Sequence, residues 1–179
     1  MLQATLYQRI LGYSLSELPP ALQQFHGQVE GGCAEGTVTV ESGRGILRHG
    51  MAALLRLPPP GQEIPLQLEV VTENGCERWI RHFGDYCLDT LQWQEGSLLI
   101  EKAGPLQFGF RLSVEDSLLI FRQQRCWLGR LPLPHFMTLS IGAIVSGNEK
   151  GWQVEVVISA PILGVITTYR GEAYVRLIH

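Results

Sequence analysis

Closely spaced two-residue turns constrain the fold of this chain more than any other feature of its sequence. Roughly ten short strands can be read from it, and residue pairs typical of tight hairpins separate several consecutive ones. Asn74-Gly75 is the strongest of these signals, because both residues tolerate the positive φ of a type I′ turn. Glu95-Gly96 and Asp116-Ser117 are the next two turn positions. Strands joined in this way predict a large curled antiparallel sheet or closed β-barrel.

The turn at Asn74-Gly75 sets which residues of its two strands lie opposite each other. Counting outward from it places Arg81 opposite Leu68, between Trp79 and Phe83 on the apolar face of the sheet. An unpaired charge on that face would cost free energy, so we expect Arg81 to have a partner.

The two later turns place further residues on the same kind of face. A second arginine, Arg125, falls in register with large hydrophobic residues beyond Asp116-Ser117. The cross-strand pairs predicted from the two turns are Trp93–Leu98, Leu91–Ile100, Leu112–Phe121, Phe110–Gln123 and Phe108–Arg125.

Three segments have a helical pattern instead. Apolar residues recur at helical spacing from Leu2 to Tyr13, and a second short helix is expected between Ser16 and Gly27. A third covers residues 43–57, where a proline run ends it. The predicted architecture is therefore α+β and mostly β, with two or three helices covering one end or face of the sheet. No linker or repeat divides residues 1–179, so a single domain is expected.

Composition excludes several functional classes. The net charge of -3 argues against a nucleic-acid-binding protein, which needs a basic face. No stretch approaches the ~20 apolar residues of a membrane-spanning helix, and the N-terminus lacks the features of a secretory signal. We therefore expect a cytoplasmic protein. The four cysteines have no metal-ligand spacing, so neither a metal site nor a disulfide is predicted, and no motif indicates a cofactor.

The two arginines are the first candidates for a ligand site, because guanidinium groups bind carboxylates and phosphates bidentately. Either arginine could instead reach solvent at the rim or pair internally with an acid such as Asp85 or Glu101. His26, at the end of the second helix, is the histidine expected nearest to a cavity. Arg44 lies in a Gly-rich turn that opens the third helix, where an anion can bind. The acids of the strands form no evident catalytic pair.

Short segments along nearly the whole chain, in order, resemble a bacterial family known only as domain of unknown function 4166. Its members occur alone or after saccharopine-dehydrogenase-like reductase domains. The matching segments are Leu18–Leu22 with Phe25-His26, Gly43-Arg44-Gly45, Pro59-Pro60-Gly61 with Pro65, Glu77–Gly84, Glu101–Pro105, Leu131–Pro134, Leu163-Gly164 and Tyr169-Arg170-Gly171.

The resemblance implies no established activity. It implies a possible reductase partner and marks positions for mutation, namely Arg44, Trp79, Arg81, Phe83, Arg170 and Gly171. The family pattern has an acidic residue shortly after the proline-rich loop, whereas residues 141–146 of this chain contain none.

Three functional hypotheses follow. The first is a binding domain whose curled sheet encloses an apolar cavity for a small amphipathic or lipid-like anionic ligand. The second is an enzyme or redox-accessory domain of isomerase or hydrolase type, although no catalytic constellation is visible. The third is an interaction or dimerisation module; the sequence leaves the oligomeric state open. The residues expected to bind the ligand are Arg81, Arg125, Trp79, Phe83, Phe108, Phe110, Phe121, His26 and Arg44.

Overall fold

Antiparallel strands make up most of the structure, a computed structural model that describes residues 4–54, 57–134, 136 and 138–176. Eleven strands lie within these residues. They are β1 (Gly31–Ser42), β2 (Gly61–Glu73), β3 (Cys76–Phe83), β4 (Tyr86–Glu95), β5 (Leu98–Ala103), β6 (Leu106–Glu115), β7 (Leu118–Leu128), β8 (Leu131–Pro132), β9 (Ser140–Gly147), β10 (Gly151–Ala160) and β11 (Gly164–Arg176).

Ten of the strands close into a barrel. The order around it is β6-β5-β4-β3-β2-β1-β11-β10-β9-β7, and pairing between β7 and β6 completes the ring. The two-residue strand β8 adds to β7 outside the ring. The predicted mostly-β antiparallel fold is thus confirmed in its closed form, which leaves no long sheet edge unpaired within the ring.

The first hairpin forms with the predicted register. Asn74 and Gly75 have φ values of 52° and 78°, as a type I′ turn requires. Leu68 pairs with Arg81, and the neighbouring pairs agree with the prediction. The side chain of Arg81 therefore projects into the barrel.

The second hairpin corrects the predicted turn position. Glu95 pairs with Leu98 and Trp93 with Ile100, so the turn residues are Gly96 and Ser97 rather than Glu95-Gly96. Gly96 has a φ of 60°, whereas Ser97 has no positive φ. This pattern fits a type II′ turn, which takes glycine at its first central position.

The third hairpin corrects the predicted position of Arg125. Phe110 pairs with Gln123 as predicted, but the register then shifts, and Arg125 pairs with Gly109. Gln124 is the extra residue of this β-bulge, and one extra residue moves all later side chains to the other face. Arg125 is consequently exposed, and Cys126 takes the predicted inward place opposite Phe108.

The N-terminal helices cover one end of the barrel, which we call the helical end. They are α1 (Leu6–Leu11) and α2 (Pro20–His26), with a 3-10 turn at Gly12–Glu17 between them. Arg9 Nη2 donates to the Gly75 carbonyl at 3.0 Å, and the Ala21 amide donates to the Asn148 carbonyl at 3.3 Å. The hairpin turns at 74–75, 96–97 and 116–117 lie at this end.

The starts of these helices differ from the sequence prediction. Thr5 caps α1 in a capping box with Gln8, and the predicted start at Leu2 lies outside the described residues. Pro19, rather than Ser16, precedes the first residue of α2, because Ser16 lies within the 3-10 turn.

The third helix, α3 (Ile46–Leu54), lies at the opposite end of the barrel, which we call the α3 end. Arg48 Nε donates to the Leu163 carbonyl at 2.7 Å and joins the helix to the turn between β10 and β11. The predicted extension of this helix through residues 55 and 56 lies outside the described residues. No described helix has the length and hydropathy needed to cross a membrane.

Candidate ligand cavity

The barrel interior is not completely filled by side chains. A cavity of about 150 Å³ extends from the N-terminal helices toward Phe83 and Tyr169. An apolar cavity of this volume is large enough to hold a molecule the size of benzene. Most of its lining is apolar, and the strand residues with purely hydrophobic side chains are Val38, Leu66, Leu68, Phe83, Phe110, Leu119, Phe121, Ile141, Ala143, Val145, Val154, Val156 and Ala173.

Aromatic rings form the wall of the cavity at the helical end. Tyr7 of α1 stacks on His26 of α2, with 3.8 Å between ring centroids. Phe25 packs edge-on against Trp79 at 5.8 Å and lies tilted against Trp152 at 4.8 Å. The helices are therefore fixed to the barrel by aromatic contacts as well as by hydrogen bonds from the Arg9 side chain and the Ala21 amide.

A charged network enters the cavity from three neighbouring strands. Arg81 Nη2 lies 3.1 Å from Glu101 Oε1, and Arg81 Nη1 donates to Thr90 Oγ1 at 2.8 Å. Thr90 Oγ1 in turn donates to Glu101 Oε1 at 2.7 Å. The side chains of Arg81 and Glu101 are 17% and 18% exposed, so the pair is mostly removed from water. Arg81 thus pairs with Glu101, the second of the two acids named above, and the two charges of the pair balance.

Trp79 supports the arginine from one side. The Arg81 guanidinium carbon lies 5.0 Å from the Trp79 ring centroid, within cation–π range. The Trp79 indole N–H donates to Glu77 Oε2 at 3.0 Å. Burial raises the pKa of Glu77, and this hydrogen bond, a backbone N–H of Leu6 and the charge of Arg9 oppose the rise.

A second polar contact in the cavity joins Tyr7 of α1 to Gln92 of β4. The Tyr7 hydroxyl donates to Gln92 Oε1 at 3.1 Å, and both residues are buried. Burial raises the pKa of Tyr7 well above its usual value, and Glu77 and Glu101 raise it further. The phenol therefore stays protonated. Gln92 also borders the cavity.

His26 is held neutral inside the barrel. Its carbonyl accepts from Thr5 Oγ1 at 2.7 Å, and its ring lies against Tyr7 and borders the cavity. Burial lowers the pKa of His26 to about 3. Burial also raises the pKa of Tyr169, further along the cavity, to about 12. Besides the Arg81–Glu101 pair, the cavity thus combines apolar walls with three hydrogen-bonding side chains, Tyr7, His26 and Tyr169, that are uncharged at neutral pH.

The structure brings six of the nine predicted ligand-binding residues to this cavity. They are His26, Trp79, Arg81, Phe83, Phe110 and Phe121. Phe108 is buried beside Phe110 without lining the cavity, while Arg44 and Arg125 are exposed.

Several residues of the site were not predicted from the sequence. Tyr7, Gln92 and Tyr169 line the cavity, and Thr90 contacts Arg81. Thr90 and Gln92 lie on the same face of β4 as Leu88, at a spacing of two residues, and this spacing was the available signal. The more hydrophobic residues Leu91 and Trp93 lie on the opposite face of the strand, and they led to the prediction that this face is the buried one.

The described residues contain no cluster of three or more His, Cys, Asp or Glu side chains that could hold a metal. All four cysteines are free. Asp89 pairs with Arg78 on the outer face, and Glu69 and Asp85 are also exposed.

Fold and cavity together define an antiparallel β-barrel with a partly filled, mostly apolar interior. Residues 18–172 match the family described as Domain of unknown function (DUF4166). The chain belongs to this family, as the resemblance in its short segments indicated.

A search of solved structures gives a similar fold. A protein of unknown function from the DUF3598 family of Nostoc punctiforme aligns with a TM-score of 0.53 and 11% identity over 81% of this chain. The alignment spans only 47% of that protein, and at this identity the likeness concerns the fold alone. No curated protein matches the chain.

Proposed function

We propose that this barrel is a binding domain for a small, mostly apolar molecule with one uncharged polar group. The observation that carries the proposal is the cavity itself, with apolar walls and a few placed hydrogen-bonding side chains. Ligand sites commonly combine these two features. The volume of about 150 Å³ favours a ligand, or an inserted part of one, of the size of a single aromatic ring.

The pairing of Arg81 with Glu101 favours an uncharged polar group over the anionic group expected from the sequence. Glu101 already balances the charge of Arg81 at 3.1 Å. A ligand anion would add a second negative charge beside Glu101 in a poorly hydrated site. The uncharged Gln92 amide and Tyr169 hydroxyl support a carbonyl or hydroxyl group instead.

Calorimetric titration with three molecules of similar size tests this proposal. We expect toluene and benzyl alcohol to bind, with benzoate weaker by at least about ten-fold because it carries a charge into the site. Gln92→Leu should remove any advantage of benzyl alcohol over toluene, whereas Gln153→Leu on the outer face should not. Tighter binding of benzoate would favour the anionic ligand that was expected from the sequence. If none of the three molecules bound, the proposal would be contradicted.

An acid–base enzyme is the second candidate, because His26, Arg81 and Glu101 border the same cavity. With its pKa lowered to about 3, however, His26 is a weak base at neutral pH, which favours binding over proton transfer. Chemical conversion of a bound carbonyl compound by the wild type, but not by His26→Phe, would favour the enzyme.

A further inference from the structure

Exposed hydrophobic side chains concentrate at the α3 end of the barrel. Ile46 and Leu47 at the start of α3 are 91% and 73% exposed, and Ile162, in the turn joined to α3 by Arg48, is fully exposed. Three more flank or follow the β7–β8 turn at the same end. The six residues are Ile46, Leu47, Leu128, Leu131, Phe136 and Ile162, which we call the apolar rim.

Charge is distributed unevenly over the same region. Within residues 42–62, 124–140 and 158–166, which carry the apolar rim, the described part of the chain contains four arginines and no Asp or Glu. The exposed acids at this end are Glu41 and Glu63, which flank the first range, and Asp85 in the turn between β3 and β4. Arg44, Arg125 and Arg130 are exposed, so their guanidinium groups are available at the surface beside the apolar rim.

We propose that the α3 end docks on the surface of a membrane rich in anionic lipid. Exposed apolar side chains enter the headgroup layer, and arginines beside them contact lipid phosphates. The rim residues lie in turns and at the start of a helix, on three separate segments of the chain. A fluid membrane surface can accommodate them because it needs no shape complementary to theirs. A second copy is disfavoured as occupant, because it would bring the same arginines against one another. The proposal does not depend on what the cavity binds.

Vesicle co-sedimentation of the full chain tests the proposal. The vesicles contain phosphatidylcholine alone or with about one third phosphatidylglycerol. We expect binding to the mixed vesicles at low salt, little binding to phosphatidylcholine alone, and weakening in high salt. Arg44→Glu with Arg130→Glu should lower the bound-to-free ratio by at least about five-fold for each arginine. Ile46→Ser with Leu47→Ser should lower it by roughly ten-fold.

Two exposed residues away from the α3 end serve as controls. Arg111→Glu and Tyr13→Ser should bind mixed vesicles as the wild type does, and thermal melts establish that each variant is folded. If the Ile46 and Leu47 changes unfold the chain, the arginine pair decides the result alone. Absence of vesicle binding, or equal loss in the controls, would overturn the proposal. Self-association that Ile46→Ser abolishes, without vesicle binding, would overturn it in favour of an interface between copies.

Discussion

The inward position of Arg81 could be predicted from the sequence, but its partner could not. Its inward position follows from one hairpin turn, so it could be predicted from local sequence. Its partner Glu101 lies two strands away and reaches it only because the sheet curls into a barrel. The register of a single hairpin carries no information about that curvature. From the sequence alone, the Arg81 side chain could therefore reach solvent at the rim, pair with an internal acid or bind a ligand.

The Arg81–Glu101 pair gives a stability prediction. Arg81→Met should lower the free energy of unfolding by about 3 kcal/mol, because it leaves Glu101 without its cation in a mostly buried site. Changing both residues, Arg81→Met with Glu101→Gln, should recover much of this loss. Urea denaturation at neutral pH measures both.

Arg78→Met is the matched control, since Arg78 pairs with Asp89 on the same two strands where both side chains are solvated. It should change the unfolding midpoint little. An Arg81→Met protein as stable as Arg78→Met would mean that Glu101 needs no partner.

His26 predicts a particular dependence of stability on pH. The unfolded chain protonates this histidine near its ordinary pKa of 6.5, whereas burial lowers the pKa in the fold to about 3. The unfolded state binds more protons between these values, so stability falls as the pH decreases from 6.5 toward 3. Between pH 7 and pH 5 the wild type should lose about 2 kcal/mol more than His26→Phe. Denaturation at the two pH values measures these losses. If the wild type and His26→Phe lost the same free energy of unfolding, the His26 imidazole would have to be in contact with water.

At the scale of elements, turn chemistry predicted more than strand patterns did. Asn74-Gly75 gave a correct register because both residues favour the left-handed conformation the turn needs. The turn predicted at Glu95-Gly96 was wrong by one residue, because glycine suits the first central position of a type II′ turn as well as the second central position of a type I′ turn. The bulge at Gln124 had no such signal, and it moved Arg125 to the outer face.

Two glycines give opposite predictions for the same substitution. Gly75→Ala should destabilise the protein by about 1 kcal/mol, because Gly75 has a φ of 78° and a Cβ there is strained even without crowding. Gly50→Ala should stabilise it by about 0.5–1 kcal/mol, since Gly50 lies in α3 with open space around it. Thermal melts of the two variants measure the difference. A stabilising Gly75→Ala would contradict the turn geometry.

At the scale of the whole molecule, the consecutive hairpins predicted a curled sheet or a closed barrel around an apolar cavity, but not which strands close the ring. β6 and β7 are neighbours along the chain, whereas the ring also needs β9 beside β7 and β1 beside β11. These pairings join distant segments, and no local turn specifies them. The interior of β4 was also hidden, because Thr90 and Gln92 face inward while the more hydrophobic Leu91 and Trp93 face outward.

The cysteines give a prediction for the whole chain. Cys33, Cys76, Cys87 and Cys126 are all free in the structure, and we expect four reactive thiols in the purified protein. Thiol titration under denaturing, non-reducing conditions counts them. A count of two or none would establish disulfides and contradict this expectation.

The central claim is that the barrel interior admits a small apolar molecule, and methyl NMR during a toluene titration tests it most directly. We predict saturable shifts at methyl groups lining the cavity, such as those of Leu119, Val145 and Val156, with little change at Ile144 and Ile162. Ala143→Leu, which fills the cavity, should weaken these shifts strongly, while Ile144→Leu on the outer face should not. Shifts confined to the outer methyl groups, or unchanged by Ala143→Leu, would contradict a binding cavity inside the barrel.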